Sequence, residues 1–163
     1  MAAVDIFLKL DGIKGESLDD KHKDEIELSS FSFGLANPSV HVNGGGGASG
    51  KVSFQDIHFT SKVSSASPML MLACASGQHI KEGQITVRKA GDNRQTGTEF
   101  LFYKFETVVI TSVQDSISTD EGPSESVSFA FAKVNIEYKP QKPDGSLGAA
   151  VEFGWDLKAN KKI

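Results

Sequence analysis

Over most of this chain apolar and polar residues alternate at period two, the mark of strands that keep one face in a core. Val4, Ile6, Leu8 and Leu10 open the series, and further alternating segments run over 25–36, 51–60, 84–89, 98–113, 126–138 and 151–157. In the last, Val151, Phe153, Trp155 and Leu157 share one face. Three segments change phase partway: Ile26 and Leu28 give way to Phe31 and Phe33, Val52 and Phe54 to Ile57 and Phe59, and Val127, Phe129 and Phe131 to Val134, Ile136 and Tyr138. A one-residue slip moves the apolar set to the other face unless the strand bulges or bends, so long strands that kink predict a closed barrel or a folded-over sandwich.

One stretch breaks the alternation. Ser67 to Gly77 places a serine, then a proline, then a run of apolar residues before a glycine, which predicts a short helix over 67–77 with Ser67 as N-cap and Pro68 at the first helical position. Residues 69–75 are apolar all round, so this helix is expected to have two dry neighbours, the barrel and an adjacent subunit. Residues 37–50, with Gly44 to Gly47 consecutive, predict a long protruding loop. Residues 11–24 and 114–125 read as solvated connections. No internal repeat or linker divides the 163 residues, which predicts one domain burying roughly 70% of its unfolded surface.

Charge and composition narrow the chemistry. Lys and Arg number 17 against 21 Asp and Glu, and the net charge of −4 argues against a phosphate-backbone binder. Cys74 is the only cysteine, which leaves no intrachain disulfide and no thiolate cluster for a metal. The N-terminus has no basic region ahead of an apolar one, and the longest apolar run is far too short for a membrane span, so a chain without a cleaved signal or membrane insertion is expected. Gly45 to Lys51 matches the first seven places of a phosphate-binding loop, but Val52 stands where magnesium needs a hydroxyl and a strand pattern follows instead of a helix. His22, His41, His58 and His79 lie in separate segments without metal-ligand spacing, and no G-x-S-x-G nucleophile turn occurs. His58 reads as an exposed or interface side chain, and the pairs Asp19-Asp20 and Asp120-Glu121 as loop solvation. No catalytic residue, cofactor or metal ligand is assigned.

Read end to end, the chain resembles the Hcp family, the haemolysin-coregulated proteins of bacterial type VI secretion. The resemblance is carried by Ala3 to Lys9 with Gly15-Glu16-Ser17, by Gly44 to Lys51 with Gln55-Asp56, by Ser67-Pro68 with Ala73 to Gly77, and by Arg88 to Gly91. Tyr138 to Lys142, Asp144-Gly145 and Phe153 to Asp156 complete it. It implies a mainly β protein, a two-sheet β-barrel with one flanking helix, which assembles as a homohexameric ring and stacks into a hollow tube. It further implies assembly in the cytoplasm, ejection by a contractile sheath behind a VgrG spike, and small effector proteins held in the lumen. The chain's end at Ile163 is expected to leave no room for a fused toxin domain.

Residues follow from these expectations. Ser30 and Ser32 alternate with core aromatics and so face outward. In the family the matching segment lines the channel, which implies that both serines meet the lumen and its cargo. Ring stacking is assigned to His41, Gly44, Gly45, Gly46, Gly47, Arg88 and Lys89, and ring closure to the barrel flanks and to Met69, Leu70, Met71, Leu72 and Cys74 on the helix. The alternative from another class is a small-ligand carrier, which requires a roomy barrel interior.

Overall fold

The computed structural model describes residues 4–38, 51–90 and 98–163. Ten strands and one helix follow in the order β1 (Val4–Leu10), β2 (Ile26–Ser32), β3 (Leu35–Ala36), β4 (Ser53–Phe54), β5 (Ile57–Lys62), α1 (Ala66–Ser76), β6 (His79–Lys89), β7 (Glu99–Ser118), β8 (Gly122–Tyr138), β9 (Val151–Asp156) and β10 (Lys161–Lys162). Six strands close a barrel in the order β8-β5-β2-β1-β6-β7, with β7 returning to β8; β9 and β10 extend the sheet from the far half of β8, and β3 pairs with β4 separately. Closure pairs each of these strands with a neighbour on both sides over part of its length, which removes most of the edge that a twisted open sheet would expose.

The interior is filled. Phe59, Phe105 and Phe129 are fully buried with Leu8, Ile57, Ile80 and Ile85 around them. Phe105 packs edge-on to Phe129 at 5.2 Å and against Phe131 at 4.9 Å. Each fully buried aromatic side chain stabilises the fold by about 2–3 kcal/mol.

Each predicted phase change has a backbone cause. The β2–β5 register slips between Leu28 and Ser30, so a bulge carries the apolar face from Leu28 to Phe31. Between Phe54 and Ile57 the chain breaks instead: β4 pairs only with β3, and the Gln55 N–H bonds the Gly34 carbonyl at 2.9 Å before β5 enters the barrel. In β8 the buried position moves from Phe131 to Val134 where the β7–β8 ladder skips Thr107 and Ala132, with Thr107 at a left-handed φ of 56°.

Three expectations change. Residues 114–125 are not a solvated connection but a hairpin, with ladder pairs from Gln114↔Ser126 to Ser118↔Gly122 and a turn only at 119–121. Its polar residues hide the strand period because the backbone ladder, not a core, holds that part of β7. Residues 11–24 are not merely solvated either: Ser17 and His22 are buried, and Gly15 lies so close to the Glu25 carbonyl that a β-carbon would collide with it. The helix starts at Ala66 with Ser65 as N-cap, which moves Pro68 into the first turn; the Ser64 hydroxyl accepts from the Ala66 N–H at 3.2 Å, and Gly77 closes the helix at φ 66°.

Candidate functional site

Inward residues of β2, β5, β8 and β7 fill the barrel, so strand alternation sends the intervening residues to the outer face. There the ladders place side chains in rows. Ser32, His58, Ser128 and Ser112 form one row across the four strands, and Ser30, Thr60, Ser126 and Gln114 form the next. Lys62, Ser124 and Ser116 continue the face along β5, β8 and β7. The Ser30 and Thr60 hydroxyls are 2.6 Å apart, and His58 Nδ1 lies 2.9 Å from the Ser128 hydroxyl. The surface is a polar wall of hydroxyls, with charge confined to its ends: Asp56, which accepts from the Thr111 hydroxyl at 2.8 Å, and Lys62.

At one margin of this wall the sheet is open. β6 pairs with β7 no further than Val109, so among the described residues 110–118 of β7 are hydrogen-bonded on the β8 side alone. The helix α1 packs beside β7. It buries Ala66, Ser67, Leu70 and Ala73 and leaves Met69, Met71 and Leu72 at 43%, 40% and 55% exposure. An open strand edge beside an exposed apolar helix face is a surface built to be covered.

Two ionisable clusters brace the ends of these elements. Arg88 Nε bonds Asp5 at 3.1 Å and its Nη2 bonds Asp19 at 2.5 Å, while its guanidinium carbon sits 4.9 Å from the Phe7 ring centre. The bonded guanidinium holds the Asp19 carboxyl below the usual carboxylate range. His22 also stacks on Phe7, with ring centres 4.3 Å apart, and reaches Glu25 at 2.9 Å and Glu99 at 2.7 Å. The second cluster is under α1. Glu125 continues the inward face of β8, is 2% exposed, and pairs across the ladders with Ser61 and Asp115. Burial, then Asp115, pushes its carboxyl up to about 7 against the lowering effect of the Ser67 hydroxyl.

Ser30 and Ser32 are exposed on the wall, and the structure joins to them Thr60, His58, Ser126, Ser128, Ser112 and Gln114, which sequence reasoning did not collect. Alternation assigned an outward face to Ser30, Ser32 and His58 alone, and Gln114 was expected in a solvated connection; the ladders make them one surface. Leu70, expected at a subunit boundary, is fully buried against this chain's own barrel, and Cys74 is half-buried. Arg88, expected at a stacking face, is engaged by Asp5 and Asp19, whereas Lys89 is exposed. His41 and Gly44 to Gly47, with the expected protruding loop, lie outside the described residues. Among the described residues no group of three His, Cys, Asp or Glu side chains is placed to hold a metal, and no helix is long and apolar enough to cross a membrane.

Comparison with known proteins agrees with the resemblance. The family model for "Type VI secretion system effector, Hcp" matches residues 7–138. The chain is 41% identical over 160 residues to Protein hcp1 of Pseudomonas aeruginosa, covering 97% of this chain and 98% of that one. Among solved structures, Hcp1 from Salmonella typhimurium superposes with a TM-score of 0.80 at 38% identity, covering 99% of this chain and all of that one. A type VI secretion system effector from Yersinia pestis superposes with a TM-score of 0.75 at 34% identity over 93% of this chain and 99% of that one. A closed β-barrel with one flanking helix, matched along nearly its whole length, places this chain in the Hcp family of type VI secretion proteins.

Proposed function

We propose that the chain is the structural subunit of a type VI secretion inner tube: six copies close a ring, rings stack into a hollow tube, and the hydroxyl wall lines the lumen. One observation carries the reading. The outer face of four adjoining strands is polar, almost uncharged and flat in register, and it ends in an open strand edge flanked by an exposed apolar helix. A neighbouring copy that covers the edge and helix of each subunit in turn would leave the wall facing inward, and a heterologous contact repeated by rotation closes a ring. Hydroxyls suit a conduit, because they offer hydrogen bonds without the extended apolar contact that makes release slow.

In this reading the tube assembles in the cytoplasm and leaves with a VgrG spike and small effectors when a sheath contracts; its role is structural and not catalytic. The filled barrel interior favours it over a small-ligand carrier. Native mass spectrometry and negative-stain microscopy of the purified chain test it: a sixfold ring supports the tube, and a stable 17.5 kDa monomer overturns it. Ser32→Gln tests the lumen. The ring and its melting temperature are expected to be unchanged while export of a lumen-borne effector falls; unchanged export overturns the assignment of the wall.

A further inference from the structure

The barrel end beneath α1 holds a buried acid among groups that carry no positive charge. Glu125 is 2% exposed and stands on β8 between Ser61 of β5 and Asp115 of β7. Ser67, a buried residue in the first turn of α1, donates to its carboxyl. The Ser67 hydroxyl already accepts from the Ser64 N–H at 3.0 Å, so its own proton is left for Glu125. Glu125 Oε2 is buried without a donor among the described residues, and Asp115 brings a second carboxylate to it. A proton on Glu125 completes the set: the Ser64 N–H to Ser67, Ser67 to Glu125, and the Glu125 O–H to Asp115. We propose that Glu125 is a proton-operated latch for α1: carrying its proton it ties the first turn of the helix to the barrel end, and on losing it α1 opens locally and exposes Cys74.

The charged and titratable groups around Glu125 can be named element by element. β7 brings Asp115. β5 brings none on this face, where Phe59 and Ser61 stand; its Lys62 belongs to the outer wall beside Ser124. α1 contains no acid or base, and Cys74 is its one titratable side chain. Ahead of the helix, Glu16 accepts from the Ser65 N–H at 3.3 Å. On β8 itself the next inward residues, Val127 and Phe129, are apolar, and Asp120 and Glu121 lie in the turn. No cation shares this face, while desolvation and Asp115 both disfavour the charge and push the Glu125 carboxyl up to about 7. Its folded value lies above the ordinary 4.5, so the tie is complete below pH 4.5 and is lost as pH rises through 7. Opening returns the carboxyl to an ordinary value, so between about pH 6 and about pH 8 local opening is expected to become roughly tenfold more frequent. α1 is the element released because it buries only Ala66, Ser67, Leu70 and Ala73, whereas β5 and β8 are held by ladders on both sides. The latch belongs to one chain and stands with or without a ring.

Cys74, half-buried against the core, reports on the seat of the helix. The purified chain is labelled with a water-soluble thiol reagent at about pH 6 and about pH 8, and each rate is divided by that of glutathione under the same conditions to remove the pH dependence of the thiol reaction itself. The normalised rate is expected to rise roughly tenfold. Glu125→Gln, whose carboxamide accepts from Ser67 and donates to Asp115 without a charge, stays slow at both pH values. Ser67→Ala cuts the tie and is already fast at the lower pH. Backbone amide exchange separates the helix from the rest of the fold: the pH-dependent loss of protection is expected in Ala66–Ser76 and not in β5 or β8. A normalised rate equal at the two pH values, a rise that survives Glu125→Gln, or a loss of protection shared equally by β5 and β8 overturns the proposal. If Glu125→Gln does not fold, amide exchange of the parent decides: protection of α1 that falls through about pH 7 supports the latch, and protection that follows intrinsic exchange alone overturns it.

Discussion

Arg88 and Glu125 are both ionisable side chains drawn against the barrel, and the fold treats them oppositely. Arg88 meets Asp5, Asp19 and the face of Phe7, so its charge is answered by two carboxylates and a π-face. Glu125 meets Ser61, Ser67 and the carboxylate of Asp115, and its Oε2 is buried without a hydrogen bond. A charge can be kept near a core if its partners arrive with it. Without a cation the same burial favours holding a proton, because desolvation and a like charge both penalise the ionised form. The Arg88 cluster therefore locks the 11–24 loop to β1 and β6, whereas the Glu125 cluster makes the seat of α1 sensitive to pH.

The largest expected effect breaks the satisfied cluster. Arg88→Ala strands Asp5 and Asp19 and removes the cover from Phe7, and chemical denaturation should show a loss of about 2 kcal/mol, as hydrogen bonds to charged groups of this partial exposure contribute. A loss no larger than that of an exposed surface substitution would show that the loop is held by its backbone bonds alone.

The next prediction concerns the unsatisfied cluster and its sign. Glu125 binds its proton with a value of about 7 in the folded chain against an ordinary 4.5, so its stabilising contribution is complete below pH 4.5 and is lost as pH rises through 7. Glu125→Gln should leave stability at pH 5 nearly unchanged and raise it at pH 8 by about 1–2 kcal/mol, discounted from the full linkage value because the site relaxes. Parallel pH profiles for the two proteins would remove Glu125 as the titrating group.

Asp19 has the opposite sign and a smaller expected effect. Its carboxyl is held below 3.8, so its contribution is present above that value and is lost as pH falls through the folded value. Asp19→Asn should flatten the decline in melting temperature below about pH 4 and lower stability at neutral pH by about 1 kcal/mol or less, given a partly exposed pair. If the acid limb is as steep in the variant as in the parent, other carboxylates drive it.

The contrast between these clusters also shows where sequence reading stops. Period-two alternation identified most strands, including the outward position of Ser30 and Ser32, because burial of one face is written locally in every second residue. The phase changes marked the irregularities near Leu28, Phe54 and Phe131, since a face reversal demands a local backbone change. The helix was legible from its apolar run and Gly77, within two residues at its start. Polar β7 beyond Val113 reads in the sequence as a solvated connection because its strand conformation is held by ladder bonds to β8, a partner that its own residues do not encode.

By itself the sequence determined an all-round apolar helix, alternating strands and, through its motifs in their order, the resemblance to the family. Only the tertiary structure decided which serines share a wall, that Leu70 turns inward while Leu72 does not, that Arg88 is already satisfied, and that His22 lies between Glu25 and Glu99. The reason is physical. Burial of a strand face is a property of neighbouring residues in the chain, but the pairing of Arg88 with Asp19, or of His58 with Ser128, depends on which strands the closed barrel sets side by side.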